Sequence, residues 1–207
     1  MDAASLEQSL PFRPWFTIWF HPCQTIQQIV DRNPWYGIYL LIPLSALGSG
    51  LGNWLTAVGS DTDTFQENIL LAVGYSLLVS IYSAFLCSLI MQWWTGRSGQ
   101  KIPYSHLVSA IYWGAVPYIG YLLVFLLIVA GTAFLSLIIP SAGSIFGIWI
   151  DLLAMLLSFL FAVWSFVLTL GTLSQVMDCS TGTAFARWLG AGLLTVMPFW
   201  VLYILIV

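Results

Sequence analysis

Five long apolar runs constrain this chain more than any other feature. Crossing about 30 Å of hydrocarbon takes about 20 helical residues. Runs of that length extend from about Tyr36 to Val58, Asn68 to Thr95, His106 to Ile139, Ile145 to Ser174 and Phe185 to Val207. Stretches such as LLVFLLIVAG have no period of two, which excludes a transmembrane barrel. Backbone groups in lipid must pair within their own segment, so the runs are read as helices. Only 6% of the 207 residues are charged, against about 25% in soluble domains. Five bases and eight acids cannot cover a water-soluble globule of 23 kDa. The expected architecture is therefore all-α: a polytopic integral membrane protein with five transmembrane helices. Residues 36–207 form this membrane domain, and residues 1–35 precede it.

The third run is too long for one straight span. Pro117 and Gly131 offer places to kink or break it, and a short interfacial helix followed by the span fits equally. In the first run, Gly48-x-x-x-Gly52 makes a small-residue face that lets helix backbones approach. That face packs within the chain or forms the seam of a homo-oligomer.

Orientation follows from the five bases. Arg13 and Arg32 precede the first run, Arg97 and Lys101 lie between the second and third, and Arg187 starts the fifth. With five spans, all fall on one side. The other side receives Asp61, Asp63 and Glu67, and the uncharged PSAGS. Positive-inside segregation puts the N-terminus in the cytoplasm and Val207 on the far side. The first ten residues, MDAASLEQSL, hold two acids and no base, so no cleavable secretory signal is expected.

The stretch PFRPWFTIWFHPCQTIQQIVDRNPWYG, residues 11–37, precedes the first run. Pro22 suits the first turn of a helix, and Pro34 stops it after Arg32. Ile26, Ile29 and Val30 fall on one face, with Gln24, Gln27, Gln28 and Asp31 largely elsewhere. Trp15, Phe16, Trp19 and Phe20 are aromatics of the kind that favour the bilayer interface. The segment reads as an amphipathic interfacial helix on the cytoplasmic face, or as a cap over the cytoplasmic ends of the spans.

Chemistry is sparse. No H-E-x-x-H, G-x-S-x-G or Walker loop is present, so no catalytic residue and no cofactor site is assigned. His21 and Cys23 make a lone H-x-C without a second ligand pair, so no metal site is assigned either. Cys23 and Cys179 fall near the cytoplasmic interface, where acylation is conceivable and no disulfide is expected. Gly96-Arg97-Ser98-Gly99 reads as a tight turn between spans. Asp151 is the one acid inside an expected span. It is a protonatable or ion-binding candidate, or an interfacial residue reaching the headgroups. Asn53, Gln92, Ser158, Ser165, Thr169 and Gln175 are read as interhelical packing residues. A net charge of −3 leaves no electrostatic footprint for nucleic acid.

The opening stretch resembles the N-terminal entry of bacterial members of the Yip family, named for binding of Ypt/Rab GTPases in eukaryotes. Trp15, Ile18, Trp19, Pro22, Thr25, Ile26, Ile29, Val30, Asp31, Asn33, Pro34, Tyr36 and Gly37 match its phrase W-x-x-I-W-x-x-P-x-x-T-I-x-x-I-V-D-x-N-P-x-Y-G. GRSGQKIPYSHLVSAIYWGAVP and WSFVLTLGTLSQVMDCSTGTAFARWL are similar at two further places. The resemblance implies the five-span layout, a bacterial inner membrane address and no established reaction. Eukaryotic members carry a D-L-Y-G-P motif. Here the nearest phrase is Asn33-Pro34-Trp35-Tyr36-Gly37, without the acid and the leucine, which counts against GTPase recruitment.

The resulting expectation is a non-enzymatic membrane scaffold or partner-binding protein of the Yip type. Trp15, Trp19, Arg32, Arg97, Lys101 and Arg187 are its candidate contacts to a cytoplasmic protein partner or to anionic headgroups of the bilayer. Each base near such headgroups is worth about 1 kcal/mol. The alternative is a small transporter or channel with a polar path at Asp151.

Overall fold

A computed structural model describes residues 12–57, 69–97, 99–138 and 142–206. The described residues contain helices and no strand. In chain order they are α1 (Pro14–Thr17), α2 (Pro22–Arg32), α3 (Ile38–Ala57), α4 (Ile69–Arg97), α5 (Tyr104–Gly114), α6 (Val116–Ile138), α7 (Ala142–Val176) and α8 (Thr181–Ile206).

Local chemistry sets the first three. Pro14 and Pro22 occupy the first turns of α1 and α2, where a missing N–H costs nothing. Thr25 Oγ1 sits 2.8 Å from the His21 carbonyl and 2.9 Å from Thr17 Oγ1, tying α2 to α1. Asn33 is extended, at φ −160° and ψ 102°, as the residue before a proline must be. Its side-chain oxygen accepts the N–H of Trp35 at 3.0 Å, closing the turn into α3. The predicted helix over residues 22–32 is thus present, with Thr25, Ile26, Ile29 and Val30 on its buried face.

The third apolar run does break. α5 ends at Gly114 and α6 begins at Val116, so the break falls at Ala115, two residues before Pro117. The proline nitrogen can donate no hydrogen bond, and the backbone at the break finds a partner outside its own helix. Ser165 of α7 donates its hydroxyl to the Gly114 carbonyl at 3.0 Å. Hydroxyls from neighbouring helices are the usual means by which apolar helices tolerate proline. Gly131, the other expected break point, stays inside α6.

The expected runs correspond in order to α3, α4, α5–α6, α7 and α8. Among the described residues, three stretches are long and apolar enough to cross a membrane: Val73–Arg97, Tyr104–Val129 and Leu152–Val176. Ile38–Leu51 in α3 is a shorter apolar helix. α3 packs on α4, α4 on α8, and α7 on α5, α6 and α8. The small-residue face of α3 is used inside the chain. A Cβ added to Gly50 would lie 2.7 Å from the Val73 backbone, and one on Gly48 would press on Leu122.

The packed core gathers around α2, α5 and the adjoining ends of α4, α7 and α8. Trp113, Ile18, Ile26, Ile29, Met91 and Leu107 are fully buried there. Elsewhere large apolar side chains face outward: Trp149 is 70% exposed, Met155 74% and Phe159 65%. No monomer in water leaves such a continuous apolar surface uncovered, so lipid is the solvent for that surface.

Candidate functional site

The candidate surface is the end of the bundle that carries the bases. It is built from the α1–α2 hairpin, the loop between α4 and α5, and the junction of α7 and α8.

The hairpin is wedged into the bundle. Trp15 lies 4.9 Å, ring to ring, from the buried Trp113. Trp113 in turn donates its indole N–H to the Tyr36 carbonyl at 3.1 Å. Gly37 lies beneath the same ring at φ +72°, and a Cβ there would stand 2.9 Å from Trp113. Only glycine meets both demands without strain. Trp19 crosses the α6–α7 groove, 6.4 Å edge-on from Phe161, and a Cβ on Gly120 would meet its ring at 2.9 Å. Below the wedge α5 and α7 nearly touch, since a Cβ on Gly114 would lie 2.5 Å from Cα of Thr169. Thr172 bonds the Ala110 carbonyl at 2.9 Å. Trp15 and Trp19 are therefore half-buried packing residues, whereas Phe16 and Phe20 are exposed.

The bases take different positions. Arg32 closes α2, exposed, with its guanidinium 4.7 Å from the centre of the Phe12 ring. Arg97 closes α4, exposed, 4.1 Å over Trp93. Both are cation–π pairs, and both suit the negative end of a helix dipole. Arg187 is half-buried and donates to Gln100 Oε1 at 3.2 Å. Gln100 Nε2 donates to the Met177 carbonyl at 3.3 Å. This one glutamine fastens the α4–α5 loop to the α7–α8 junction, and the sequence reading missed it. No periodicity marks a loop residue, so the only signal was its place between Gly99 and Lys101. Lys101 is exposed and borders a partly open hollow of about 390 Å³, lined also by Gln92, Gly96, Gln100, Ile102 and Pro103. The expected tight turn is present: Gly99, at φ +84°, donates to the Gly96 carbonyl at 3.2 Å.

At the second junction Asp178 adopts φ +45°, and the N–H of Cys179 returns to the Ser174 carbonyl at 3.1 Å. Such left-handed helix ends more often use glycine. Burial pushes the Cys179 thiol above its ordinary range; nearby Arg187 opposes this and Asp178 adds to it. Cys23 is exposed, with its sulfur 3.8 Å from the Gly171 carbonyl. The three cysteines are free. Among the described residues, no group of histidines, cysteines and acids could hold a metal ion. Asp151 belongs to the helical backbone of α7, but its side chain, like those of residues 1–11 and the acids at 61, 63 and 67, lies outside the described residues.

Taken together, the helices and their outward apolar faces define an integral membrane protein of the all-α class. The Yip1 domain family model matches residues 16–205, nearly the whole chain, and the protein belongs to that family. Neither the curated proteins nor the solved structures contain a significant match.

Proposed function

We propose that the protein is a non-enzymatic scaffold of the Yip type, which engages a protein partner and anionic headgroups through its basic end. In this reading α3, α4, α5–α6, α7 and α8 are five spans, residues 1–35 and both basic junctions are cytoplasmic, and Val207 is on the opposite side of a bacterial inner membrane. The observation that carries it is the gathering of the bases. Arg32, Arg97, Lys101 and Arg187 lie on three separate chain segments yet border one end of the bundle, and Gln100, beside Lys101, bonds Arg187 and the Met177 carbonyl. Cations on one side only are what positive-inside insertion requires. The same cations attract a negative surface.

The exposed Phe16, Phe20, Arg32, Arg97 and Lys101 form the contact surface, and the half-buried Trp15 and Trp19 hold its shape. The loop hollow beside Lys101 has room for a small anionic group. Photo-cross-linkers introduced at the exposed Phe16 and Phe20 in growing cells test this. A discrete protein adduct from both positions, lost on Arg97→Gln with Lys101→Gln, is the expected result. Adducts no different from those at the outward position Leu156 would refute it. A reporter fused after Val207 is expected to read non-cytoplasmic.

A further inference from the structure

Away from the basic end, α3, α4, α5 and α8 enclose a partly open cavity of about 300 Å³. Ser45, Ser80, Ser83, Tyr112 and Thr195 line it with hydroxyls, and the rest of its wall is apolar, aromatic or sulfur-bearing. None of the twelve lining residues is charged. Ser80 and Ser83 fall near the middle of the 29-residue α4, about 20–25 Å from Arg97 at 1.5 Å per residue. This is a largely apolar hollow with hydroxyls in its wall, at membrane depth.

The hydrogen-bond inventory decides what it would take. A hydroxyl has one hydrogen to give and two lone pairs to receive with. Ser45 lies 2.8 Å from the Ile42 carbonyl and donates to it. Ser80, 3.0 Å from Ser45, then gives its hydrogen to Ser45. Ser83 and Tyr112 both donate to the Ser80 carbonyl, at 3.2 and 3.3 Å. Thr195 donates to the Ala191 carbonyl at 2.8 Å. All five hydroxyl hydrogens are spent on the protein, and acceptor lone pairs remain. An occupant that satisfies them has to donate. Burying an ion beside neutral groups is costly, so the occupant is uncharged. The apolar remainder of the wall and the membrane setting require a hydrocarbon body.

We propose that this cavity binds a neutral membrane lipid with a free hydroxyl, of the monoacylglycerol or diacylglycerol class. The glycerol hydroxyl donates to the serine oxygens, and the chain leaves toward the bilayer. The volume lies at the lower end of the range for small-molecule sites, about 300–1,000 Å³, enough for a glycerol-sized head and the start of a chain. The site is separate from the basic end and stands whether or not that end binds a partner.

The test uses the full chain in phosphatidylcholine nanodiscs with a photoactivatable monoacylglycerol. Labelling is expected on peptides from α4 and α8. Unlabelled monoolein should compete at least tenfold better than its dimethyl ether, which has the same body and no donor. Gly192 lines the cavity, and a Cβ added there meets nothing within 4 Å. Gly192→Leu therefore extends a side chain from a position where the Cβ itself meets no atom, and is expected to cut labelling at least tenfold. Ser45→Ala with Ser80→Ala should instead erase the preference for alcohol over ether. Equal competition by the ether in the unaltered protein, or labelling that maps outside the cavity, overturns the proposal without reliance on any variant.

Discussion

The two halves of α7 have opposite surroundings. From Leu152 to Val167 the helix presents Leu, Met, Phe, Val and Trp outward, with Met155, Phe159 and Val167 all more than half exposed. From Leu168 to Val176 it is packed, with Leu168, Thr169, Leu170, Thr172 and Leu173 buried, as is Met177 just past its end. The second half receives α2 and α5; the first faces lipid over much of its surface. Small and hydroxylic residues are what distinguish the packed half: Thr169, Gly171, Thr172 and Ser174 allow close backbone approach and offer hydrogen bonds. The packed half is also the less apolar one, and its small, hydroxyl-bearing side chains separate protein-facing from lipid-facing helix.

If that contrast is correct, equivalent substitutions in the two regions have unequal effects. The largest difference concerns tryptophan. Trp113→Ala removes a fully buried ring and its bond to Tyr36 and should cost about 3–5 kcal/mol of stability. Trp164→Ala, on the outward face of α7, should cost less than about 1 kcal/mol, since lipid replaces the contact. Equilibrium unfolding in mixed micelles measures both. Equal losses would remove the distinction.

Glycine gives the next contrast, of opposite sign. Gly114→Ala forces α5 away from Thr169 and should destabilise by about 1–3 kcal/mol. Gly131→Ala in α6 meets nothing within 4 Å and should stabilise by up to about 1 kcal/mol through helix propensity. The same unfolding assay reads both, and a stabilising Gly114→Ala would mean that α5 and α7 are not in contact.

The smallest effect is chemical. Cys179 is half-buried and its thiol is shifted upward, so less of the reactive thiolate is present near neutral pH. Alkylation of Cys179 should lag behind that of the exposed Cys23. Its rate should go on rising with pH beyond the point where an ordinary thiol levels off. Mass mapping after timed maleimide labelling would show whether the order is reversed.

Much of the fold was legible because its signals are local. Pro22 and Pro34 bracket α2, and its apolar period of three and four marks the buried face. Gly96 and Gly99 announce the turn after α4, and Pro117 signals the break in the third run within two residues. Less was legible where the answer depends on which elements meet. The four aromatics of the hairpin look alike in sequence. Packing divides them, with Trp15 and Trp19 turned toward the bundle and Phe16 and Phe20 outward. Gln100 clamps two junctions that are far apart in the chain. The hydroxyl cavity draws on four helices, and no motif records it. On the small-residue face of α3, Gly48 packs on Leu122 and Gly50 comes close to the Val73 backbone, while the side-chain position of Gly52 lies outside the described residues.

The N-terminal hairpin is built into the membrane domain and is not a tail lying beside it. Cys23 and Gly171 test it most directly, because a Cβ on Gly171 would lie 4.0 Å from the Cys23 sulfur. That separation is close to what a disulfide needs after small adjustments. With Cys87 and Cys179 replaced by alanine, Gly171→Cys in membranes under mild oxidation should form the Cys23 bridge nearly completely, read as loss of both alkylatable thiols. Trp164→Cys, nearly two turns away along α7 and outward, should leave both thiols free. A hairpin that bridges to neither position, or equally to both, would contradict the account.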